Sequence, residues 1–340
     1  MVTSLPARTL LSIAALVAVL VMALVVGLAQ SLVLWSSFEL QLRDLLPLLG
    51  FDTGSDDTLA RQLILELRLP RTLVAAMIGA NLAVAGVQVQ ALTRNPLASP
   101  TLLGINAGAA CMIALSVAGV LGLATLPLPL LALIGGSVSA LLVLTLGGYF
   151  QAHPNPVRLI LAGIAVTALL AGLTRAALIL SEDMAYSMLH WLAGSLAQTG
   201  WDSWHQLWPF SLAGLALALL LSHAFNLLAL GDDTALGLGI RIHWVRRLAA
   251  ASTVLLCTAS VAAAGPIAFV GLIVPHLCRR LFGQNHRLLI PMAALTGAAF
   301  LVWADLLSRG VAFPAETPVG VITALLGTPF FILLAARSRT

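Results

Sequence analysis

The sequence has no lysine: all 17 basic residues of this 340-residue chain are arginine. That absence removes two chemistries at once. A phosphate-binding loop cannot supply its lysine, so the chain is not itself a P-loop ATPase. A lysine Schiff base is equally excluded. Charge of either sign is scarce, at 9% of residues, against about 25% in an ordinary soluble domain. A chain so depleted cannot cover a water-facing surface. Cysteine is nearly absent too. Cys111, Cys257 and Cys278 form no CxxC and lie in apolar stretches, as reduced packing residues do. The seven histidines show no HExxH or other close pairing, and His276 and Cys278 stand two apart without further ligands. No metal site, resident cofactor or nucleic-acid partner is expected. No nucleophile, base and acid converge at recognisable spacing, so an enzyme is not the expectation either.

What the chain does have is apolar length. It is 60% hydrophobic, with a mean hydropathy of +1.03. A spanning helix takes roughly 20 apolar residues, so the length allows about ten spans. In lipid every backbone polar group must be paired internally, and the long apolar runs favour a helical bundle over a barrel. The expected fold is an all-α membrane protein, one transmembrane domain over 1–340, with spans near 10–30, 69–91, 101–120, 127–149, 159–180, 206–230, 247–264, 266–277, 288–307 and 319–335. The eighth is too short for a regular crossing. Pro266 and Pro275 bracket it around Gly271, so a broken span packed inside the bundle is expected there. Arg8 followed by Leu10 to Ala29 could be a signal peptide. The run is longer than the usual apolar core of about 7–15 residues, which favours a retained first span.

Arginine placement sets the orientation. With the N-terminus inside and ten spans, Arg8, Arg94, Arg158, Arg241, Arg246, Arg247, Arg279, Arg280, Arg287, Arg337 and Arg339 lie at the cytoplasmic side, 11 of the 17. Arg43, Arg61, Arg68, Arg71, Arg175 and Arg309 lie at the outer side or its margin, the other 6. The bias obeys the positive-inside rule and puts both termini in the cytoplasm of an inner-membrane protein.

A shift of 179 positions brings back a sparse pattern: Arg68 on Arg247, Ala85-Gly86 on Ala264-Gly265, Pro96 on Pro275 and Gly104 on Gly283. The second copy begins five spans after the first, an odd number, so it enters the membrane from the opposite side. Repeat halves of about 60–180 and 240–335 are expected. Inverted repeats are typical of transport proteins, whose path lies at the repeat interface.

Three blocks carry a resemblance. The first is 67–109, LRLPRTLVAAMIGANLAVAGVQVQALTRNPLASPTLLGINAGA, where Gly79, Gly86 and small alanines make a face for close helix packing. The second is AGPIAFVGLIVPHLCRRLFGQNHR at 264–287. The third runs from Ala304-Asp305 and Arg309 through Glu316-Thr317-Pro318-Val319-Gly320-Val321 to Gly327-Thr328-Pro329. In this order they resemble the iron-siderophore and cobalamin family of ABC-importer permeases, from about 60 to 335. The likeness to ferric citrate permease subunits rests on LTRNPLASPTLLGIN, LILAGIA, GLTRAALIL, SEDMAY and WLAGS. The resemblance implies ten helices, a second homologous permease subunit completing the pore, ABC ATPase subunits below, a periplasmic substrate-binding protein above, and a ferric chelate as cargo.

The resemblance also assigns roles. In the loop 231–247, Asp233, Thr234, Ala235, Gly239 and Arg241 look like a degenerate coupling motif that seats in the ATPase; an ordinary basic loop is the plainer alternative. Arg68, Arg71 and Arg309 match positions that pair with glutamates of the binding protein, a chemistry that suits the guanidinium fork. Snorkelling would also place them there. Asn81 and Gln88 share one face of the second span, and Thr167 and Thr174 one face of the fifth. Each pair either lines a path for a polar chelate or bonds between helices. Asp305, four residues before Arg309, is expected to form a salt bridge within its helix. Cobalamin or haem are the rival cargoes, and an ion-coupled secondary transporter is the rival class.

Overall fold

Inside a bilayer the backbone has no water to bond, so each apolar run closes its own hydrogen bonds as a helix. The computed structural model describes residues 7–35, 58–123, 125–149, 156–180 and 185–337, and no strand occurs among them. The helices are α1 (Ala7–Val33), α2 (Thr58–Gln62), α3 (Leu69–Thr93), α4 (Ile105–Val117), α5 (Leu128–Leu146), α6 (Pro156–Leu180), α7 (Ala185–Leu192), α8 (Trp201–Leu228), α9 (Asp232–Gly237), α10 (Ile242–Ala264), α11 (Val270–Phe282), α12 (His286–Val311) and α13 (Val319–Arg337). A π-helical stretch, Leu63–Arg68, joins α2 to α3.

Each of the ten expected spans holds a helix, but only seven stretches of the described residues are long and apolar enough to cross a membrane by length and composition. The third is shorter than the expected 101–120. A tight turn over Pro100–Leu103 ends at Gly104, whose φ of +65° breaks the helix before α4 begins. Thirteen residues remain in α4 and thirteen in α11, about 20 Å each at 1.5 Å per residue. The break expected at the eighth span lies at 265–269, N-terminal to α11. Pro275 does not end the helix but sits inside it. Proline has no N–H to return to the carbonyl four residues back, that of Gly271. That carbonyl faces Gly86 of α3, where an added Cβ would stand 2.0 Å from it.

Helix α3 is the centre of the bundle and packs against α8, α10, α11 and α12. It is apolar on nearly every side, as a buried helix should be: Val74, Ala75, Ile78, Leu82, Val84, Ala85 and Val87 are all buried. Its most extensive packing is on α12, antiparallel, where Gly79 lies close against Gly297. Helix α1 lies on the far side of α12. Trp303 of α12 donates from its indole N–H to the carbonyl of Ala23 at 3.0 Å, and its ring fills the space left by Gly27.

Two stretches share one order of elements: a long helix, an irregular turn, a thirteen-residue helix and two long helices, α3 to α6 and α10 to α13. Both short helices begin at a left-handed residue, Gly104 at φ +65° and Phe269 at φ +68°. Where α3 contacts α11 and α12, α10 contacts α4 and α5. Asn81 and Ser260, 179 positions apart, meet face to face across α3 and α10. One constant shift does not align the rest. Pro96 lies in a turn whereas Pro275 lies within α11, because the connecting turns differ in length.

Candidate functional site

Three places gather the polar side chains. The first is the end of the bundle that the arginine bias assigns to the outside. Arg71 starts α3, and its guanidinium reaches across to α12 and the loop behind it. Nε and Nη2 donate to Oδ1 of Asp305 at 3.2 and 2.8 Å, and Nη1 donates to both oxygens of Glu316 at 3.0 and 2.9 Å. Arg309 lies one turn beyond Asp305, and its Nη2 approaches the other carboxylate oxygen to 3.1 Å as an ion pair without an aligned hydrogen bond. Its Nη1 donates to the carbonyl of Ser31 at 2.9 Å, and its Nη2 to the hydroxyl of the same residue. Asp305, Arg309 and Arg71 are 1%, 4% and 9% exposed, so this is a buried network.

Arg68 differs. It is half-buried and donates only to carbonyls at the end of α1, those of Leu32, Leu34 and Trp35, at 2.9–3.2 Å. Among the described residues it has no carboxylate within ion-pair distance. The three arginines, Glu316, Trp35, Phe313 and Pro314 surround an open cavity of about 280 Å³. Three cations against two carboxylates leave the cluster one positive charge in excess. The sequence suggested only the Asp305–Arg309 pair. Arg71, 234 positions before Asp305, and Glu316 were not legible as its partners.

The second place is the loop 231–247. It folds as α9, a turn, and the start of α10. Asp232 anchors it through 2.6 Å to Arg94 at the end of α3 and 2.8 Å to Arg246 on α10. Arg94 also caps α8 at the Leu228 carbonyl, 3.1 Å away, and Arg246 stacks over Tyr149, 5.7 Å from the ring centre. Ala235 is fully buried, and Asp233, Thr234 and Arg241 point out. Gly239 makes the turn at φ +83°, which side chains rarely adopt, and open space surrounds it. Leu236 and Leu238 are 57% and 58% exposed. The sequence pattern drew Ala235 and Gly239 but missed the anchor, because Asp232 looked like one acid among basic residues.

The third place is the interior. Asn81 donates to the hydroxyls of Ser211 at 2.7 Å and Ser260 at 3.3 Å, and Gln88 to that of Ser252 at 2.9 Å. Both are fully buried, so they tie α3 to α8 and α10 rather than face a cavity. Thr167 and Thr174 lie elsewhere. They line an open groove of about 420 Å³ between α4, α6 and α7, with Thr101, Asn106 and Arg175. On the cytoplasmic side, Gln90 accepts from Arg279, and His286 and Asn285 bond to Asn226. None of these stood out in the sequence.

An all-helical multi-pass bundle with a fixed charge cluster at one end and an anchored helical loop at the other is the build of a transport subunit. The FecCD transport family profile matches residues 15–337, and the chain belongs to that family. It is 45% identical over 285 residues to the Fe(3+) dicitrate transport system permease protein FecC of Escherichia coli K12, covering 84% of this chain and 86% of that one. It is 41% identical over 313 residues to the Fe(3+)-citrate import system permease protein YfmD of Bacillus subtilis 168, covering 92% of each. Among solved structures, an inward-facing conformation of a metal-chelate type ABC transporter matches with a TM-score of 0.79 at 30% identity, over 94% of this chain and 97% of that one. The chain is accordingly a multi-pass permease subunit of the inner membrane.

Proposed function

We propose that this subunit forms half of the pore of an importer for a ferric chelate, with citrate-type chelates as the cargo. A second, homologous permease completes the pore. Separate ATPase subunits drive it, and a periplasmic binding protein delivers the cargo. The observation that carries the reading is the loop 231–247. Its short helix is braced by Asp232 against α3 and α10, yet it offers Leu236 and Leu238 outward beyond the spans. Exposed leucines on a rigid support suit a partner's groove, and a push there passes directly into two core helices. Asp305 does not favour the ion-coupled alternative, because its carboxylate is already engaged within the chain by Arg71 and Arg309.

Uptake of ⁵⁵Fe-citrate by proteoliposomes of the assembled complex tests the proposal, and it should require both ATP and the binding protein. In the same assay Gly239→Arg should insert normally and transport little. L side chains rarely adopt φ +83°, and the open space around position 239 lets a new side chain project toward the ATPase. Normal ATP-driven uptake by that variant would remove the coupling role from the loop.

We also propose that acidic side chains of the binding protein dock over Arg68, Arg71 and Arg309. Arg68, bonded only to carbonyls and without a carboxylate partner among the described residues, is the member left to meet them, and the other two hold the field in place from behind. Arg68→Glu should slow association severalfold at low ionic strength and much less at 1 M salt, where the Debye length is about 3 Å. Equal association rates for wild type and variant at low salt, by surface plasmon resonance, would leave Arg68 as a clasp on α1 only.

A further inference from the structure

Positions 167, 171, 174, 175 and 178 recur at helical spacing, so one face of α6 carries two threonines and an arginine among apolar residues. That face is one wall of the groove between α4, α6 and α7. Arg175 lies five residues inside the end of α6, is exposed, and among the described residues makes no ion pair or hydrogen bond. Arg68, Arg71, Arg94, Arg246, Arg279 and Arg309, by contrast, all bond within the chain. An unpaired charge on the outer face of a membrane helix is costly unless it faces water or an anion, and it marks a functional position by default.

The surroundings of Arg175 point to an anion. The groove lining includes no aspartate or glutamate. Asn106, on the opposite wall, has a buried Oδ1 without a partner, and its amide turned about the last torsion offers a donor there instead. Thr174 spends its hydroxyl proton on the Leu170 carbonyl at 2.8 Å, but the hydroxyl of Thr167 has no partner among the described residues. Among the described residues the groove therefore presents a cation with neutral donors and no acid. A volume of about 420 Å³ suits a small ligand. Ferric citrate carries more carboxylate charge than its iron cancels, and its surface is made of acceptor oxygens. A ferric trihydroxamate is neutral and gives the cation nothing to bind.

We infer that Arg175, with Asn106 and Thr167, forms a station for an anionic ferric chelate on its way through the pore, and that Arg175 selects cargo by charge. This rests on the permease function proposed above. The test is ⁵⁵Fe-citrate turnover by proteoliposomes of the complete complex, with the binding protein saturating and ATP inside. Arg175→Gln should lower turnover about tenfold, the loss of one charge-assisted hydrogen bond. Arg175→Lys should restore most of it, and assembled complex should be equal for all three by size exclusion. Wild-type turnover by Arg175→Gln overturns the station, as does failure of Arg175→Lys to rescue. A loss that tracks falling amounts of complex also overturns it, and makes Arg175 a structural anchor. A wild-type complex that imports a neutral ferric trihydroxamate but no ferric citrate overturns the cargo assignment and the station together.

Discussion

Gly79→Ala is expected to cut the yield of folded subunit severalfold, although it adds one methyl group. A Cβ at Gly79 would stand 2.1 Å from the carbonyl oxygen of Gly297 and 2.9 Å from Cβ of Leu301. The oxygen belongs to a helix backbone and cannot swing aside as a side chain would. Helices α3 and α12 must therefore part, and α3 also packs on α8, α10 and α11. Overpacking a core commonly costs about 1–3 kcal/mol, and a backbone clash at the central helix belongs at the upper end. Between spans in lipid, close van der Waals contact carries much of the association, so separation forfeits what holds the pair. Gly297→Ala should do the same from the other side, where a Cβ would meet the Gly79 oxygen at 2.3 Å. Gly172→Ala on α6 is the matched control: nothing lies within 4 Å of its Cβ, and alanine favours the helix. Monodisperse protein recovered by size exclusion in detergent reads the effect. Wild-type recovery of Gly79→Ala would mean that α3 and α12 do not sit this close.

The length of the apolar runs made the helices legible, because twenty apolar residues in a row have few alternatives to a membrane helix. Their breaks were harder. Pro266, Gly271 and Pro275 announced an irregular eighth span, but the irregular stretch ends at Phe269, where a left-handed residue starts α11. No local pattern marks a phenylalanine for that conformation. What fixes it is tertiary, its ring lying over Gly327 of α13. Helix α7 escaped notice because eight residues make too short a periodic signal. The regular pattern of Gly79 and Gly86 did declare a packing face, but not that the two glycines serve different partners, α12 and α11.

Side-chain roles were less legible the greater the sequence separation of the partners. Asp305 and Arg309 are one helical turn apart, and their pairing follows from helix geometry. Arg71 meets the same carboxylate across 234 positions, which only the fold brings together. Asn81 and Gln88 carried two readings of equal weight in the sequence. Burial decided for bonds between helices, since serines of α8 and α10 stand opposite them. Arg175 entered the sequence argument only as a charge near the outer margin. Its lack of a partner among the described residues is a property of the fold.

Asp305→Ala is expected to destabilise the subunit by about 3–5 kcal/mol, the usual consequence of removing one partner from a buried ion pair. The size follows from what stays behind. Arg71 keeps Glu316, which is itself partly exposed, and Arg309 keeps the carbonyl and hydroxyl of Ser31 and a long bond to the backbone carbonyl of residue 305, but no carboxylate. The cluster's excess rises from one positive charge to two, in a place where Arg309 is 4% exposed and water cannot compensate. Asp305→Asn retains an acceptor for Arg71 without the charge and should fall between wild type and alanine. A second substitution separates lost attraction from stranded charge. Adding Arg309→Leu to Asp305→Ala removes the cation left unpaired, so the double variant should be more stable than Asp305→Ala alone. A merely additive pair would be less stable. Because Arg309 also holds the end of α1 through Ser31, the recovery should be partial. Equilibrium unfolding in mixed micelles measures each step. A cost for Asp305→Ala below about 1 kcal/mol is the level of a solvent-exposed pair; it would show that water reaches the carboxylate and that the cluster is not the buried clasp between α1, α3 and α12 that its geometry describes.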